Sequence, residues 1–298
     1  MYHLATLFPR LAGVRIPVSR DQLMLLVAAI NEIFLGIDIY LAHNISGTIV
    51  PNEWIPIIFG PLAGAILLVA GLIAIRNRPL ATILANLVFI ASIIVGLLGA
   101  YFHLIRAILP TAAPGEIVSV QLLVWAPPIF GPLTFALVGL IGISAAWIEE
   151  PPDSGTLIFL GGRRLHLPLS KTRAYFFLVS LGALATVFSS TLDHARTDFS
   201  NPFVWIPLIV GVFGTVIAAI LGMISTPGWN DLAVYFVTMA LLILTGVVGL
   251  GLHINENLIA EGSIVVERFL RGSPLLAPLL FANIGMIGII ALMDPREV

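Results

Sequence analysis

Eight apolar stretches dominate the chain, at roughly 22–43, 54–76, 80–105, 120–147, 174–194, 205–225, 231–254 and 275–293, with polar residues gathered in the breaks between them. A helix needs about 20 mostly apolar residues to cross a bilayer, at about 1.5 Å of rise per residue. Inside lipid the backbone must satisfy its own hydrogen bonds, which leaves only helices or a closed barrel. These runs are too long and too evenly apolar for barrel strands. The pattern predicts an all-α integral membrane protein with eight transmembrane helices.

The breaks repeat as well as the runs. WIPIIFGPL begins at Trp54, WAPPIFGPL at Trp125 and WIPLIVGVF at Trp205, and LAPLLFANI at Leu276 reads as a worn fourth copy. His43, Pro51, Trp54, Ile55, Pro56 and Gly60 recur 151 residues later as His194, Pro202, Trp205, Ile206, Pro207 and Gly211. GLLGAYFH, ending at His103, recurs 150 residues later as GVVGLGLH, ending at His253. Ala126, Pro127 and Phe130 align with Ala277, Pro278 and Phe281 at an offset of 151. Ordered blocks at a constant offset predict two tandem four-helix repeats, each of two helical hairpins, related by a pseudo-twofold axis along the membrane normal. The chain then divides into an N-terminal segment (1–21), a first membrane repeat (22–148), a connector (149–173) and a second membrane repeat (174–294). Within the connector, two short apolar runs flank Gly161-Gly162 and predict a β-hairpin.

Charge sets an expected orientation, because Lys and Arg accumulate on the cytoplasmic side. With the N-terminus inside, the inner segments hold ten of the fourteen basic residues: Arg10, Arg15, Arg20, Arg76, Arg78, Arg163, Arg164, Lys171, Arg173 and Arg296. Both termini are therefore expected in the cytoplasm, as in a bacterial inner-membrane protein. The first twenty residues have no long apolar core and no small-residue cleavage site, so they read as a lead-in along the membrane surface rather than a signal peptide.

Composition narrows the chemistry. Charged residues make up 10% of the chain and mean hydropathy is +1.06, against about 25% charged in soluble domains, so the lipid bilayer is the expected surrounding. A net charge of −2 with one lysine offers no basic stripe for nucleic acid. The absence of cysteine excludes disulfides, thiolate metal sites and covalently attached c-type haem. No phosphate loop, zinc-protease helix or serine nucleophile elbow is present. The Trp-x-Pro units are read as helix starts at the headgroup belt, since proline suits a first helical turn and tryptophan the interface.

The histidines carry the candidate chemistry. His43, His103, His194 and His253 each fall at the outer end of an odd-numbered span, giving one pair per half, 60 and 59 residues apart. Gly36, Gly96 and Gly246 lie seven residues before a histidine, and Gly99 and Gly249 four before, so they share its helical face. Neutral imidazole is an axial haem ligand and a common metal ligand, and a glycine face would admit a flat ring. Bis-histidine haem b, one per repeat, is the first expectation; a copper ion or a chlorophyll-type pigment is the alternative. Electron transfer beside other membrane or periplasmic subunits then follows as function. The competing reading makes the same glycines helix contacts and the chain a non-catalytic subunit of a respiratory or photosynthetic complex. A transporter fits less well, since its usual inverted repeats are missing.

In plan, eight helices in two halves with a histidine pair in each, the chain is similar to haem A synthase. That family's acidic motif with histidine in the first outer loop and its loop cysteine pair have no counterpart here, and its histidines lie on even-numbered helices, so no activity is carried over. One acid breaks the internal symmetry. Glu32 lies eleven residues before His43, about 16 Å down the same helix face. Its counterpart 151 residues on is Ala183. A carboxyl inside a span is read either as a proton relay or as a protonated tie to a neighbouring helix. Asp38 reads as interfacial, and Asp193, Arg196 and Asp198 as a solvated network around His194.

Overall fold

A computed structural model describes residues 3–13, 17–44, 47, 49–108, 124–125, 128–259 and 264–295. Ten α-helices are described: α1 (His3–Leu7), α2 (Arg20–Asn44), α3 (Trp54–Ala74), α4 (Arg78–Ile108), α5 (Phe130–Ala146), α6 (Lys171–Ala195), α7 (Trp205–Met223), α8 (Trp229–Ile259), α9 (Val266–Arg271) and α10 (Leu279–Ala291). Strands β1 (Ile148–Glu149), β2 (Thr156–Ile158) and β3 (Arg164–His166) form one small antiparallel sheet in the order β1-β2-β3. Pairing of Leu157 with Leu165 sets the β2–β3 register. The turn passes through Gly161 and Gly162 at φ of 71° and 73°, a left-handed conformation that glycine adopts without steric cost.

Six helices are long and apolar enough to cross a membrane: α2, α3, α4, α6, α7 and α8. The other two expected spans are shorter. Among the described residues α5 has 17 residues and α10 has 13, which at about 1.5 Å each fall short of a bilayer core of about 30 Å. Residues 120–123, Ala126 and Pro127, which the apolar pattern assigns to the fourth span, lie outside the described residues. The short helices are the more buried ones. Ten of the 17 residues of α5 and seven of the 13 of α10 are buried, against 28–39% of the best apolar window of each long helix. The long helices turn much of their leucine, isoleucine and valine outward, a surface compatible with lipid contact.

Two apolar clusters make the core. One gathers Ala28, Ala29, Leu35, Leu67, Phe89 and Phe135 from α2 to α5. The larger gathers Tyr175, Val179, Ala183, Leu242, Phe281 and Ile284 from α6, α8 and α10, and also takes in Met24 of α2 and Leu137 and Ile141 of α5. The halves therefore meet through α2, α5, α6 and α10. The amino-terminal segment packs on the bundle: Leu4 N–H donates to Leu292 O at 2.9 Å, and the Phe8 ring meets Phe236 edge-on.

Glycine sets the helix contacts. A β-carbon on Gly96 would come within 2.6 Å of Ala136 N, and one on Gly246 within 2.6 Å of Ala282 N. Gly99 faces Pro132 and Gly249 faces Pro278, at 2.7 and 2.9 Å for an added β-carbon. Gly139 lies against Phe89 O, and Gly285 against Met239 O. In these contacts Pro278, Ala282 and Gly285 of α10 stand where Pro132, Ala136 and Gly139 of α5 do, 146 residues on, where the sequence pattern expects 151.

Candidate functional site

The four histidines close the carboxyl-terminal ends of α2, α4, α6 and α8, so all sit at one end of the bundle, opposite the sheet. His43 and His103 come together, with ring centroids 6.1 Å apart and planes at 72°. His194 and His253 are also neighbours, close enough to act on each other electrostatically. In α2, α4 and α8 glycines four or seven residues before the histidine let a neighbouring helix approach; α6 has Ser190 and Val187 at those places.

Hydrogen bonding fixes how three of the rings are held. His103 Nδ1 donates to Pro128 O at 2.8 Å, and His253 Nδ1 donates to Pro274 O at 2.6 Å. These two carbonyls correspond at the same offset of 146, just ahead of α5 and α10. His43 Nδ1 donates to Ile39 O at 3.0 Å, one turn back. A carbonyl can only accept, so Nδ1 carries a proton in all three rings. Ligating histidines are commonly oriented in this way, by a carbonyl on the other nitrogen. The same bonds also tie each helix end to the next segment.

Two acids belong to these sites that the sequence pattern did not single out. Glu53 lies on the 3-10 turn before α3; its Oε1 is 3.8 Å from His43 Nε2, and its Oε2 accepts Val50 N–H at 3.0 Å. Its counterpart at the 151 offset is Val204, and that contrast was the available signal. In the second half Glu256 acts on His194, and Asp193 on His253. Asp193 is thus part of the histidine environment as well as of an ion pair with Arg196 at 3.9 Å. Asp38 is half-buried and within electrostatic reach of Asp193.

The glycines do not frame an open face. Gly36 lies under Pro61 of α3, and Gly96, Gly99, Gly246 and Gly249 receive the backbone and prolines of α5 and α10. The room reserved for a flat ring is filled by the neighbouring helix, because a residue without a side chain lets backbones close to contact distance. These five positions are packing residues. Among the described residues no group of three or more histidine and acidic side chains could hold a metal ion alone.

Glu32 lies deep in the first half, with 0% of its surface exposed. Ser92 of α4 stands between Glu32 Oε1, at 2.6 Å, and the Phe135 carbonyl of α5, at 2.8 Å. Glu32 Oε2 has no partner. Ser92 lies 60 residues from Glu32, as His103 lies 60 from His43, so both pairs join α2 to α4.

At the opposite end a buried ionic cluster joins the halves. Lys171 Nζ donates to Asp21 and to Trp147 O, Tyr175 Oη donates to Asp21 Oδ1 at 3.1 Å, and Arg20 Nη1 donates to Thr172 Oγ1 at 2.6 Å. Glu149 caps α6 by accepting Lys171 N–H at 2.9 Å and Gly155 N–H at 2.8 Å. Arg20 and Lys171, the first residues of α2 and α6, are each 1% exposed. No family model, curated protein or solved structure matches the chain in these comparisons.

Proposed function

We propose that this chain is a membrane-embedded subunit that holds a cofactor between the histidines of each pair, at one end of its bundle, and passes electrons through it. The carrying observation is the orientation of His103 and His253, whose Nδ1 atoms donate to the carbonyls of Pro128 and Pro274 and so fix how each ring is held. The approach of His43 and His103 to 6.1 Å between ring centroids is of the right order for a shared metal centre, since two metal–nitrogen bonds of about 2 Å leave about 4 Å between ligating nitrogens. Haem b is the first candidate, with copper or a chlorophyll-type pigment as alternatives. The filled glycine faces require a haem plane to lie away from them. The tandem duplication, eight membrane crossings, cytoplasmic termini and a bacterial inner membrane belong to the same proposal, as do partner subunits in a larger complex.

A second reading is an accessory subunit without a cofactor. It is favoured by the glycine contacts and by the His103–Pro128 and His253–Pro274 bonds, which stabilise helix ends whether or not Nε2 is used. The visible absorption spectrum and metal content of the detergent-purified chain separate the two. A Soret band or stoichiometric copper is expected, and His103→Ala should remove the signal of one site and leave the other. A flat spectrum in metal-free, fully folded protein would discard the cofactor reading in favour of the accessory one.

A further inference from the structure

A cavity of about 320 Å³ opens at the sheet end of the bundle, where α6 begins and α7 ends. Its size is at the lower end of ligand pockets, about 300–1,000 Å³. It is lined from α1, the β1–β2 turn, the first turns of α6 and the α7–α8 loop. Both α6 and α7 are long and apolar enough to cross a membrane, and their ends are where lipid headgroups would lie.

The polar groups of the lining are held in place with bonding capacity left over. Arg173 donates Nε–H to Gly222 O at 2.7 Å and Nη2–H to Met223 O at 3.1 Å, closing the end of α7. A guanidinium has five N–H groups, so three remain. Ser154 Oγ accepts Thr156 N–H at 3.1 Å and Ser170 Oγ accepts Arg173 N–H at 3.4 Å, which leaves each hydroxyl proton to donate. Ser225 adds a third hydroxyl. Asp153 is fixed twice: its N–H donates to Glu149 Oε2 at 3.0 Å, and its Oδ1 accepts the Thr172 hydroxyl at 2.7 Å. Burial holds His3 below the ordinary imidazole value, against the pull of Asp153, so its ring is neutral at neutral pH. The lining thus carries one fixed charge of each sign, Arg173 and Asp153.

That pairing selects a class of ligand. A simple anion would be repelled by Asp153 and a simple cation by Arg173, whereas a zwitterion is attracted by both. Phosphate oxygens suit a guanidinium with hydroxyls beside it, and a primary ammonium suits a carboxylate. The apolar surroundings point to a lipid. Ile224 lines the cavity, and next to it exposed side chains run along α7 through Met223, Ile220, Val216, Val212 and Ile209. Spacings of three and four place these on one helix face. We propose that this cavity is a binding site for a phosphoethanolamine headgroup, with its phosphate at Arg173 and the serine hydroxyls and its ammonium at Asp153. A membrane phospholipid is the source, its acyl chains lying along the exposed face of α7. The site is at the opposite end from the histidines and does not depend on a cofactor there.

Native mass spectrometry of the delipidated full-length chain in detergent tests this, in titrations with short-chain phosphatidylethanolamine, phosphatidylcholine and phosphatidylglycerol. One phosphatidylethanolamine per chain is expected. Phosphatidylcholine has no ammonium N–H to give Asp153, and phosphatidylglycerol has no cation. Each should bind about tenfold more weakly, the worth of one hydrogen bond to a charged group. Asp153→Asn keeps the oxygen that accepts Thr172 and removes the charge, and should erase the preference. Arg173→Gln should weaken all three lipids; since Arg173 also closes α7, Asp153→Asn alone decides should that variant misfold. Glycerophosphoethanolamine, the same headgroup without chains, should be retained more weakly than the lipid, and equal retention would overturn the role of the chains. Equal binding of the three lipids by the native chain overturns the headgroup site, as does a preference that survives in Asp153→Asn. Glycine, a zwitterion without phosphate, binding as tightly as glycerophosphoethanolamine would overturn it too.

Discussion

At the residue scale, the two halves solve one packing problem in two chemistries. In the first, Glu32 and Ser92 bridge α2 and α4 and reach Phe135 O on α5. In the second, Ala183 and Leu242, 151 and 150 residues on, are both fully buried in one apolar cluster. The exchange keeps the space filled and removes the polar atoms together. Glu32→Ala alone should leave a cavity, and Ser92→Leu alone should crowd the carboxyl and strip it of its partner. Each is expected to cost about 2–4 kcal/mol, in the range of buried large-to-small changes and lost buried hydrogen bonds. The double substitution should cost less than their sum, an interaction of about 1–3 kcal/mol for touching residues, measured as a thermal or denaturant double-mutant cycle. Additive losses would show that the two positions do not form one unit. Glu32 and its asymmetry were legible in the chain; Ser92 was not, because only the crossing of two helices selects one serine among many.

At the scale of elements, glycine divides into two kinds that composition does not distinguish. Gly96 and Gly246 abut backbone nitrogen of the next helix, and a β-carbon there would force the pair apart. Gly71 of α3 and Gly251 of α8 have open space around them. Gly96→Ala is expected to destabilise by about 1–3 kcal/mol, the usual cost of overpacking. Gly251→Ala should be neutral or stabilising by up to about 1 kcal/mol, because alanine has less backbone freedom to lose in a helix. Thermal inactivation in detergent, followed by loss of monodisperse protein on gel filtration, compares the two variants directly. Equal effects would contradict the α4–α5 contact. The periodicity of glycine below each histidine was correctly visible as one helix face. What covers that face could not be read, since a groove for a ring and a groove for a helix need the same small residues.

At the scale of the molecule, the bundle has a charged end and a histidine end. The charged end holds Asp21 between Arg20 and Lys171, so one anion separates two buried cations from different halves. Asp21→Asn should cost about 3–5 kcal/mol, because it leaves those cations without their shared partner. Combining it with Lys171→Met should recover much of the loss, as apolar replacement of a buried pair often does. Urea or thermal midpoints of the three proteins check the order; a double variant weaker than Asp21→Asn would contradict it. The absence of native cysteine makes the two ends accessible to labelling. Arg163→Cys at the β2–β3 turn and Ser200→Cys beyond the histidines, both exposed positions, should react with impermeant thiol reagents from opposite sides of a sealed membrane. The turn cysteine is expected to label from inside. Labelling of both from one side would refute the transmembrane arrangement.

The sequence by itself determined the long apolar helices, the starts of α3 and α7 at Trp54 and Trp205, and the placement of one histidine at the end of each of α2, α4, α6 and α8. These follow from local quantities: an apolar run long enough to span lipid, a 3.6-residue turn, and proline or tryptophan at a helix start. The β2–β3 turn was legible for the same reason, through Gly161-Gly162. Only the tertiary structure decided that α5 and α10 are short and central among the described residues, and that their backbones fill the glycine faces. It also decided which carbonyls take the Nδ1 protons of His103 and His253, and it brought Glu53, Ser92 and the Asp21–Lys171 pair into place. Each of these is a contact between residues far apart in the chain. Such contacts depend on how closely two helices approach and at what register, and that is fixed by the packing of whole helix faces, not by any short stretch of sequence.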